Sequence, residues 1–196
     1  INKLSAAQLQ GITTGQINAL STSVLNALGA TQIKSLSNTQ IAGLNTASFA
    51  ALSTDALHAI GATQATAIST SVLSTMTTTE VNALTADALK ALSASQAKTL
   101  STTALQGLSS TLLKSLQVTD LQEFNTAQMS VLTSAQVGSL NAASLGGLKT
   151  DQINALSTLA LNNLTSAQIS GLTITQLKSL TTDTVSYTHL RAHETR

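Results

Sequence analysis

Large apolar residues recur at every eighth position of this chain. Steps of eight from Leu4 to Leu180 meet Leu, Ile, Met or Phe each time, without an insertion or a deletion. We call this residue position 0 of an eight-residue unit, the octad. Position 5 is apolar throughout, and only Ala65 and Ala97 are small there. A fixed period of this kind is typical of repeat architectures, in which each unit packs on its neighbours.

The polar positions predict that each octad begins a helix. Position 1 is Ser, Thr, Asn or Gly, the preferred N-cap residues, in every octad except those with Gln117 and Lys149. Position 4, three residues later, is often Gln, and this pairing is the sequence signature of a capping box. We therefore predict an all-α solenoid with one helix of about six to seven residues per octad. The glutamines are Gln8, Gln16, Gln32, Gln40, Gln64, Gln96, Gln128, Gln136, Gln152, Gln168 and Gln176.

The charged and small residues agree with this polarity. Acids at position 3 would lie in the first turn of each helix and lysines at position 6 near its end, where the helix dipole favours them. Position 7 is nearly always Ala, Gly or another small residue, which predicts close backbone approach there. The acids are Asp55, Asp87, Asp151 and Asp183, and the lysines are Lys34, Lys90, Lys98, Lys114 and Lys178.

Two other architectures compete with short helices. In one continuous helix the apolar stripe would rotate by about 80° per octad, which no coiled-coil seam can follow. A β-solenoid remains the alternative because Thr is frequent at position 2. However, the apolar spacing alternates between five and three, and odd steps place side chains on opposite faces of a strand. The abundance of Ala, Leu and Gln also favours helix.

A weaker pattern suggests how many octads form one coil. Position 4 alternates between polar and apolar residues over much of the chain, as in Gln16, Val24 and Gln32. This alternation suggests two octads per coil. Helices this short do not form alone in water, so we expect the neighbouring repeats of the same array to be each octad's partners.

Composition narrows the classes of function. Only 9% of residues are charged and the formal net charge is +1, whereas globular chains average about 25% charged residues. Clustered basic residues with stacking aromatics, which nucleic-acid binding needs, are missing. No apolar run reaches the roughly 20 residues of a membrane span. The absence of Cys excludes disulfides and thiolate chemistry within the chain.

Few residues before the tail are candidates for chemistry. His58 occupies position 6, so we expect it on the solvent-exposed surface. Glu80 and Asp120 replace Gln at position 4, where an acid also serves as a helix cap. Glu123 lies in an irregular octad, which is either a binding spot or, as we favour, the result of drift of the repeat. We therefore predict no enzyme activity and no catalytic, cofactor or metal site.

The last twelve residues depart from the repeat. Residues 185–196, VSYTHLRAHETR, hold both arginines and two of the three histidines. They resemble translated sequencing-adapter read-through that ends gene predictions from metagenomic assemblies, and we interpret them as an irregular, non-native tail. His189 and His193 have zinc-ligand spacing, but the zinc-protease motif needs Glu where Leu190 stands. We expect residues 1–184 to form one continuous solenoid, open at both ends and cut from a longer array.

The repeat L-[ST]-x-x-Q-[ILV]-x-x-L resembles the Thr/Gln/Ala-rich octapeptide arrays of very long bacterial adhesin-like proteins. This resemblance implies an elongated spacer or stalk of a large surface or exported protein, located outside the cell. Its open ends would stack on identical units and form a fibre. One alternative is a binding scaffold that uses the variable positions 2, 3 and 6. Another is binding of ice or polysaccharide by the ranks of Thr at position 2.

Overall fold

Each complete octad forms one short helix in the computed structural model, which describes residues 3–180. This part of the chain contains 22 α-helices of four to six residues and no β-strand. The all-α prediction is therefore confirmed, and the β-solenoid alternative is wrong for the described residues. The chain divides into two compact units, Ile1–Leu108 and Ser109–Arg196.

The helices follow the octads in both units. The helices of the first unit are α1 (Ala6–Gln10), α2 (Thr14–Asn18), α3 (Thr22–Asn26), α4 (Ala30–Ser35), α5 (Asn38–Ala42), α6 (Thr46–Ala50), α7 (Thr54–His58), α8 (Ala62–Ala65), α9 (Thr70–Thr75), α10 (Thr78–Ala83), α11 (Ala86–Lys90), α12 (Ala94–Ala97) and α13 (Thr102–Gly107). The helices of the second unit are α14 (Ser110–Leu113), α15 (Val118–Leu121), α16 (Thr126–Ser130), α17 (Ser134–Ser139), α18 (Ala142–Gly146), α19 (Thr150–Asn154), α20 (Thr158–Asn162), α21 (Ser166–Ser170) and α22 (Ile174–Ser179).

The continuous array over residues 1–184 stays a prediction. So does the interpretation of residues 185–196, because this segment, with His189 and His193, lies outside the described residues.

Helix α5 shows how an octad folds. Ser37 is the N-cap, with an extended backbone (φ −71°, ψ 160°). Its Oγ accepts a hydrogen bond from the Gln40 N–H at 3.2 Å, while Oε1 of Gln40 accepts one from the Ser37 N–H at 2.9 Å. This reciprocal pair is the predicted capping box. The same box closes the start of α1, α2, α10, α12, α16, α17, α21 and α22.

The helices end without any left-handed residue. No described residue has a positive φ. Where position 0 itself caps a helix, as at Leu36, Leu84 and Leu108, its backbone is extended. The next residue is an extended N-cap, so two extended residues separate consecutive helices and redirect the chain. This geometry explains why the octad needs no regular Gly or Asn corner.

Positions 0 and 5 build the core of each unit. Ile33 and Leu57 at position 5 are 0% and 1% exposed, and Leu44 at position 0 is 3% exposed. Burial of an aliphatic side chain of this size stabilises a fold by about 1.5–3 kcal/mol. The two apolar positions thus supply the main driving force for stacking.

Within each unit, helices pack on the third helix further along the chain. In the first unit the stacks run α1–α4–α7–α10–α13, α5–α8–α11 and α6–α9–α12. In the second unit they run α14–α17–α20, α16–α19–α22 and α18–α21. One coil of either unit therefore consists of three octads, and each unit is a solenoid-like stack of such coils.

The suggestion of two octads per coil is therefore wrong. It depended on the alternation of polar and apolar residues at position 4. Both kinds of residue occupy the same inward slot, since Gln64 and Ala56 are both buried. The alternation consequently carries no information about the length of the coil.

Position 7 lies against position 2 of the coil before it. A Cβ atom added to Gly43 would overlap the side chain of Thr14, and one added to Gly107 would overlap that of Thr78. The close backbone approach predicted for position 7 is confirmed at these two sites.

A glycine-to-alanine pair tests this contact. Gly107→Ala should lower the free energy of unfolding by about 1–3 kcal/mol, because the new methyl group overpacks against Thr78. Gly138→Ala, within α17, meets no atom within 4 Å and should be neutral or stabilising by up to about 1 kcal/mol, as helical glycines are costly. Urea denaturation of both variants measures this, and equal losses would contradict the packing argument.

Candidate functional site

The glutamine at position 4 binds in two directions at once. In α8, Oε1 of Gln64 accepts a hydrogen bond from the Gly61 N–H at 3.2 Å and so caps its own helix. Nε2 of the same side chain donates to the carbonyl oxygens of Ile33 at 2.8 Å and Leu36 at 2.9 Å. These two carbonyls belong to the coil before. One buried amide therefore starts a helix and holds two coils together.

Five other glutamines form the same contact, which we call the glutamine bridge. Each donates through Nε2 to the carbonyl oxygens 31 and 28 residues earlier, at position 5 of one octad and position 0 of the next. The distances lie between 2.7 and 3.1 Å. These glutamines are Gln40, Gln96, Gln152, Gln168 and Gln176.

The bridge explains why the chain uses Gln rather than Glu. A capping box needs only an acceptor at position 4, and Glu provides one. Yet eleven octads carry Gln and only one carries Glu, at Glu80. A carboxylate has no N–H to give to two backbone carbonyls. This second role was not predicted from the sequence, although the excess of Gln over Glu is a signal that could have revealed it.

Satisfied hydrogen bonding makes this buried polar position favourable. No buried side-chain nitrogen or oxygen of the described residues lacks a partner. A satisfied hydrogen bond contributes about 0.5–1.5 kcal/mol, whereas a buried group left unpaired costs about 1–3 kcal/mol. A bridging glutamine makes at least three such bonds, so its replacement should destabilise both its own coil and the coil before it.

Position 6 provides a second contact between coils, in the opposite direction. Nδ2 of Asn18 donates to the Gly43 carbonyl at 2.8 Å, and Nδ2 of Asn82 donates to the Gly107 carbonyl at 2.8 Å. Nδ1 of His58 lies 3.2 Å from the Ala83 oxygen. In each case the acceptor is position 7 of the following coil. His58 is exposed as predicted, but its contact with Ala83 was not predicted from the sequence.

The variable positions line open grooves between stacked helices. One groove of about 460 Å³ lies between α7 and α10 and contains Thr54, Asp55, His58, Thr78 and Asn82. Its polar side chains take part in the stacking, since Asn82 donates to Thr78 as well as to Gly107, and Thr78 donates to the Thr103 carbonyl. A second groove of about 520 Å³, between α3 and α6, is lined by small side chains such as Ser23 and Ala47.

The three acids singled out in the sequence lie at separate places. Oε2 of Glu80 accepts from the Thr77 N–H at 2.6 Å, and Oδ2 of Asp120 accepts from the Gln117 N–H at 3.0 Å. Both are helix caps, as predicted. Glu123 is exposed. No group of three or more His, Cys, Asp or Glu residues in the described part of the chain is placed to hold a metal ion.

The helices between residues 3 and 180 are all too short to cross a membrane.

Asp120 is an acid in a slot built for an amide. It is 2% exposed. Burial raises the pKa of its carboxyl group, and the hydrogen bond from Gln117 only partly opposes that shift. The folded protein therefore favours the protonated form of Asp120 more strongly than the unfolded chain does.

A matched pair of substitutions separates capping from bridging. Gln64→Glu keeps an acceptor for the Gly61 N–H but places a carboxylate against two carbonyl oxygens, so we expect a loss of about 3 kcal/mol or more. Gln16 is exposed, and its Oε1 accepts a hydrogen bond from the Thr13 N–H at 2.8 Å. Its Nε2, however, has no acceptor among the described residues. Gln16→Glu should therefore change stability by less than about 0.5 kcal/mol. Chemical denaturation compares the two variants, and similar losses in both would argue against the bridge.

The raised pKa of Asp120 predicts a pH dependence. Its stabilising contribution is complete below the ordinary aspartate pKa of about 3.9 and is lost as the pH rises through the higher pKa of the folded state. Asp120→Asn removes this loss, so the stability of the variant relative to the unaltered protein should increase from about pH 4 to pH 7. Urea midpoints of both proteins across this range measure the difference, and parallel curves would contradict the prediction.

Comparison with known sequences identifies a repeat protein. A family model described as the ALTTAQ repeat matches residues 12–46 and 145–182. Its six letters have the order of positions 7, 0, 1, 2, 3 and 4 of the octad, which are the small residue, the core leucine, the N-cap and the residues up to the glutamine. No curated protein sequence matches the chain.

Proposed function

We propose that the chain is a non-enzymatic structural segment that serves as a spacer or stalk in a large bacterial surface or exported protein. The observation that carries this proposal is the glutamine bridge, because its acceptors are backbone carbonyls. Every octad has these carbonyls whatever its side chains. A coil can therefore stack on any other coil of the array without a dedicated partner.

A spacer needs a regular rise rather than a specific surface. Each octad repeats the same local instructions: an N-cap, an inward pair of apolar residues, a small residue at position 7 and often a bridging glutamine. The number of octads then sets the length of the segment. Selection for a given spacer length would therefore act on the number of octads.

The grooves support the spacer over a binding scaffold. A scaffold would present varied, uncommitted side chains at positions 2, 3 and 6. In the groove between α7 and α10, however, Asn82, Thr78 and His58 already contact the backbone of stacked helices. The second groove offers mostly small side chains. Both grooves are open to solvent, whereas small-molecule sites are concave and bury most of their ligand.

The location outside the cell is supported by the resemblance of the repeat to octapeptide arrays of bacterial adhesin-like proteins. An antibody raised against the chain should label intact cells that carry the gene. Labelling only after permeabilisation would place the protein inside and contradict this part of the proposal. End-to-end association into fibres is a further part of the proposal, and it is supported by the same resemblance.

The spacer proposal predicts that length follows the number of coils. Repeating residues 53–76, which span α7, α8 and α9, inserts one coil and should lengthen the particle by about 8–10 Å, the distance between packed helices. Small-angle X-ray scattering of the monomer measures its longest dimension, and a second insertion should add the same increment.

The control for this experiment repeats only Thr63–Thr66, which shifts the apolar positions by half an octad. This variant should lose helical circular dichroism and stability, since its core residues would face solvent. A folded three-octad insertion that leaves the longest dimension unchanged would contradict a spacer role.

A further inference from the structure

We infer that Asn163 is the acceptor of an N-linked sugar. This inference adds a covalent modification to the proposed structural segment. It rests on the proposed location outside the cell, because a sugar on asparagine is a modification of exposed segments in secreted proteins.

The motif for this modification occurs once in the chain. It consists of Asn, any residue except Pro, and then Ser or Thr, and Asn163, Leu164 and Thr165 match it. The asparagines without Ser or Thr two residues later are Asn2, Asn18, Asn26, Asn38, Asn45, Asn82, Asn125, Asn141, Asn154 and Asn162.

The repeat explains why an asparagine at position 7 creates the motif. The residue two places after position 7 is position 1 of the next octad, which is a Ser or Thr N-cap in most octads. An asparagine at position 6 is followed instead by the apolar position 0, as Asn82 is by Leu84. Asn163 is the one asparagine of the chain at position 7. The hydroxyl that starts helix α21 therefore also completes the motif.

The backbone places Asn163 at an accessible point. It is the C-cap of α20 (φ −96°, ψ 7°), lies in the connection to α21 and is exposed. Glu123 holds position 7 of an earlier octad in the same unit and is also exposed. The next coil packs beside Glu123, since Nε2 of Gln122 donates to the Gly147 carbonyl. A long side chain at position 7 thus reaches solvent even where another coil follows.

The polar groups of the motif are engaged in the folded chain. Nδ2 of Asn163 donates to the Leu159 carbonyl at 2.8 Å and to Oγ of Ser134 at 3.0 Å. Oγ1 of Thr165 accepts from the Gln168 N–H at 3.3 Å and donates to its Oε1 at 3.1 Å. A transferase that reads the amide and the hydroxyl needs both of them free. The sugar is therefore added before α20 and α21 fold.

The folded structure accommodates the modified side chain. An N-linked amide retains one N–H, which keeps a donor for the Leu159 carbonyl. Oγ of Ser134 also donates to this carbonyl, at 3.4 Å, so the hydroxyl keeps a partner when it loses the second N–H. These contacts lie at the exposed surface. The sugar consequently displaces no buried group.

The transfer is a substitution at the anomeric carbon of an activated sugar. Nδ2 forms a bond to this carbon, while the bond from the carbon to a phosphate oxygen breaks and its electron pair leaves with the phosphate. The proton that Nδ2 loses goes to a base of the transferase. Nucleotide sugars and lipid-linked sugar pyrophosphates both supply a carbon activated in this way.

The low charge of the chain gives the sugar a physical role. The formal net charge is +1 and only 9% of residues are charged. A net charge near zero promotes association and precipitation. A bulky, hydrophilic sugar on a surface segment increases solubility without adding charge.

Peptide mass spectrometry of the full chain, isolated from cells that carry the gene, tests the site. The peptide with Asn163 should carry the mass of one or more sugar residues on this side chain. A ladder of single-sugar masses would support the inference with nucleotide sugars as donors, and one block of constant mass would support it with a lipid-linked donor. An unmodified Asn163 overturns the inference.

Two substitutions at Thr165 separate the motif from the helix cap. Ser and Asn are both preferred N-caps, but only Ser has the hydroxyl that the motif requires. Thr165→Ser should therefore keep the sugar and Thr165→Asn should lose it, while both variants retain the helical circular dichroism of the unaltered protein.

The matched pair at the acceptor is Asn163→Gln, which should lose the sugar, and Asn162→Gln, which should keep it. A sugar that persists in Thr165→Asn or Asn163→Gln contradicts the inference, as does its loss in Thr165→Ser or Asn162→Gln. The proposed function is judged separately, by the longest dimension of the monomer and by antibody labelling of intact cells. An unmodified Asn163 in a protein that labels intact cells overturns the sugar site alone.

Discussion

One side-chain amide, that of the glutamine at position 4, links the local and the tertiary structure of this protein. Helices of four to six residues lie well below the length that is stable alone in water. In the octads with a bridging glutamine, the oxygen of the amide closes the start of the helix, and its nitrogen fixes the position of the helix relative to the preceding coil. In Gln64 and Gln152 the two functions lie within one buried group. Formation of the helix and stacking of the coils are therefore coupled events.

This coupling accounts for the positions at which the repeat departs from its own pattern. Gly61 and Lys149 are N-caps without a capping side chain, but the glutamine three residues later still accepts a hydrogen bond from the cap N–H. One of the two hydrogen bonds of the capping box is therefore enough to start a helix where the glutamine bridge is also present. Where position 4 is apolar, as at Ala56 and Val72, the residue is buried and packing replaces the bridge. The octad is thus held by two interchangeable means, which allows its sequence to vary while its period does not.

The sequence predicts the short helices, their caps and their core because these depend on residues within one octad. Asp55 and Asp87 lie in first turns and Lys34 lies in a last turn, as the helix dipole requires. The number of octads per coil is different in kind. This number depends on which backbone carbonyls face the glutamine. Because every residue has a backbone carbonyl, the residue types do not show which carbonyls these are. For the same reason His58 could be placed at the surface, but its contact with the Ala83 carbonyl could not be predicted.

The low charge of the chain follows from the same architecture. Positions 0 and 5 are apolar, position 7 is small, position 1 caps the helix and position 4 bridges, so five of the eight positions exclude most charged residues. Ions are confined largely to positions 3 and 6, where the helix dipole gives each sign its place. Asp120 is an acid at position 4 instead, and burial there raises the pKa of its carboxyl group. A neutral surface of amides and hydroxyls is also what allows one coil to accept another without desolvating ions. The features that keep the charge low are therefore the same features that let the array grow by whole coils within one chain.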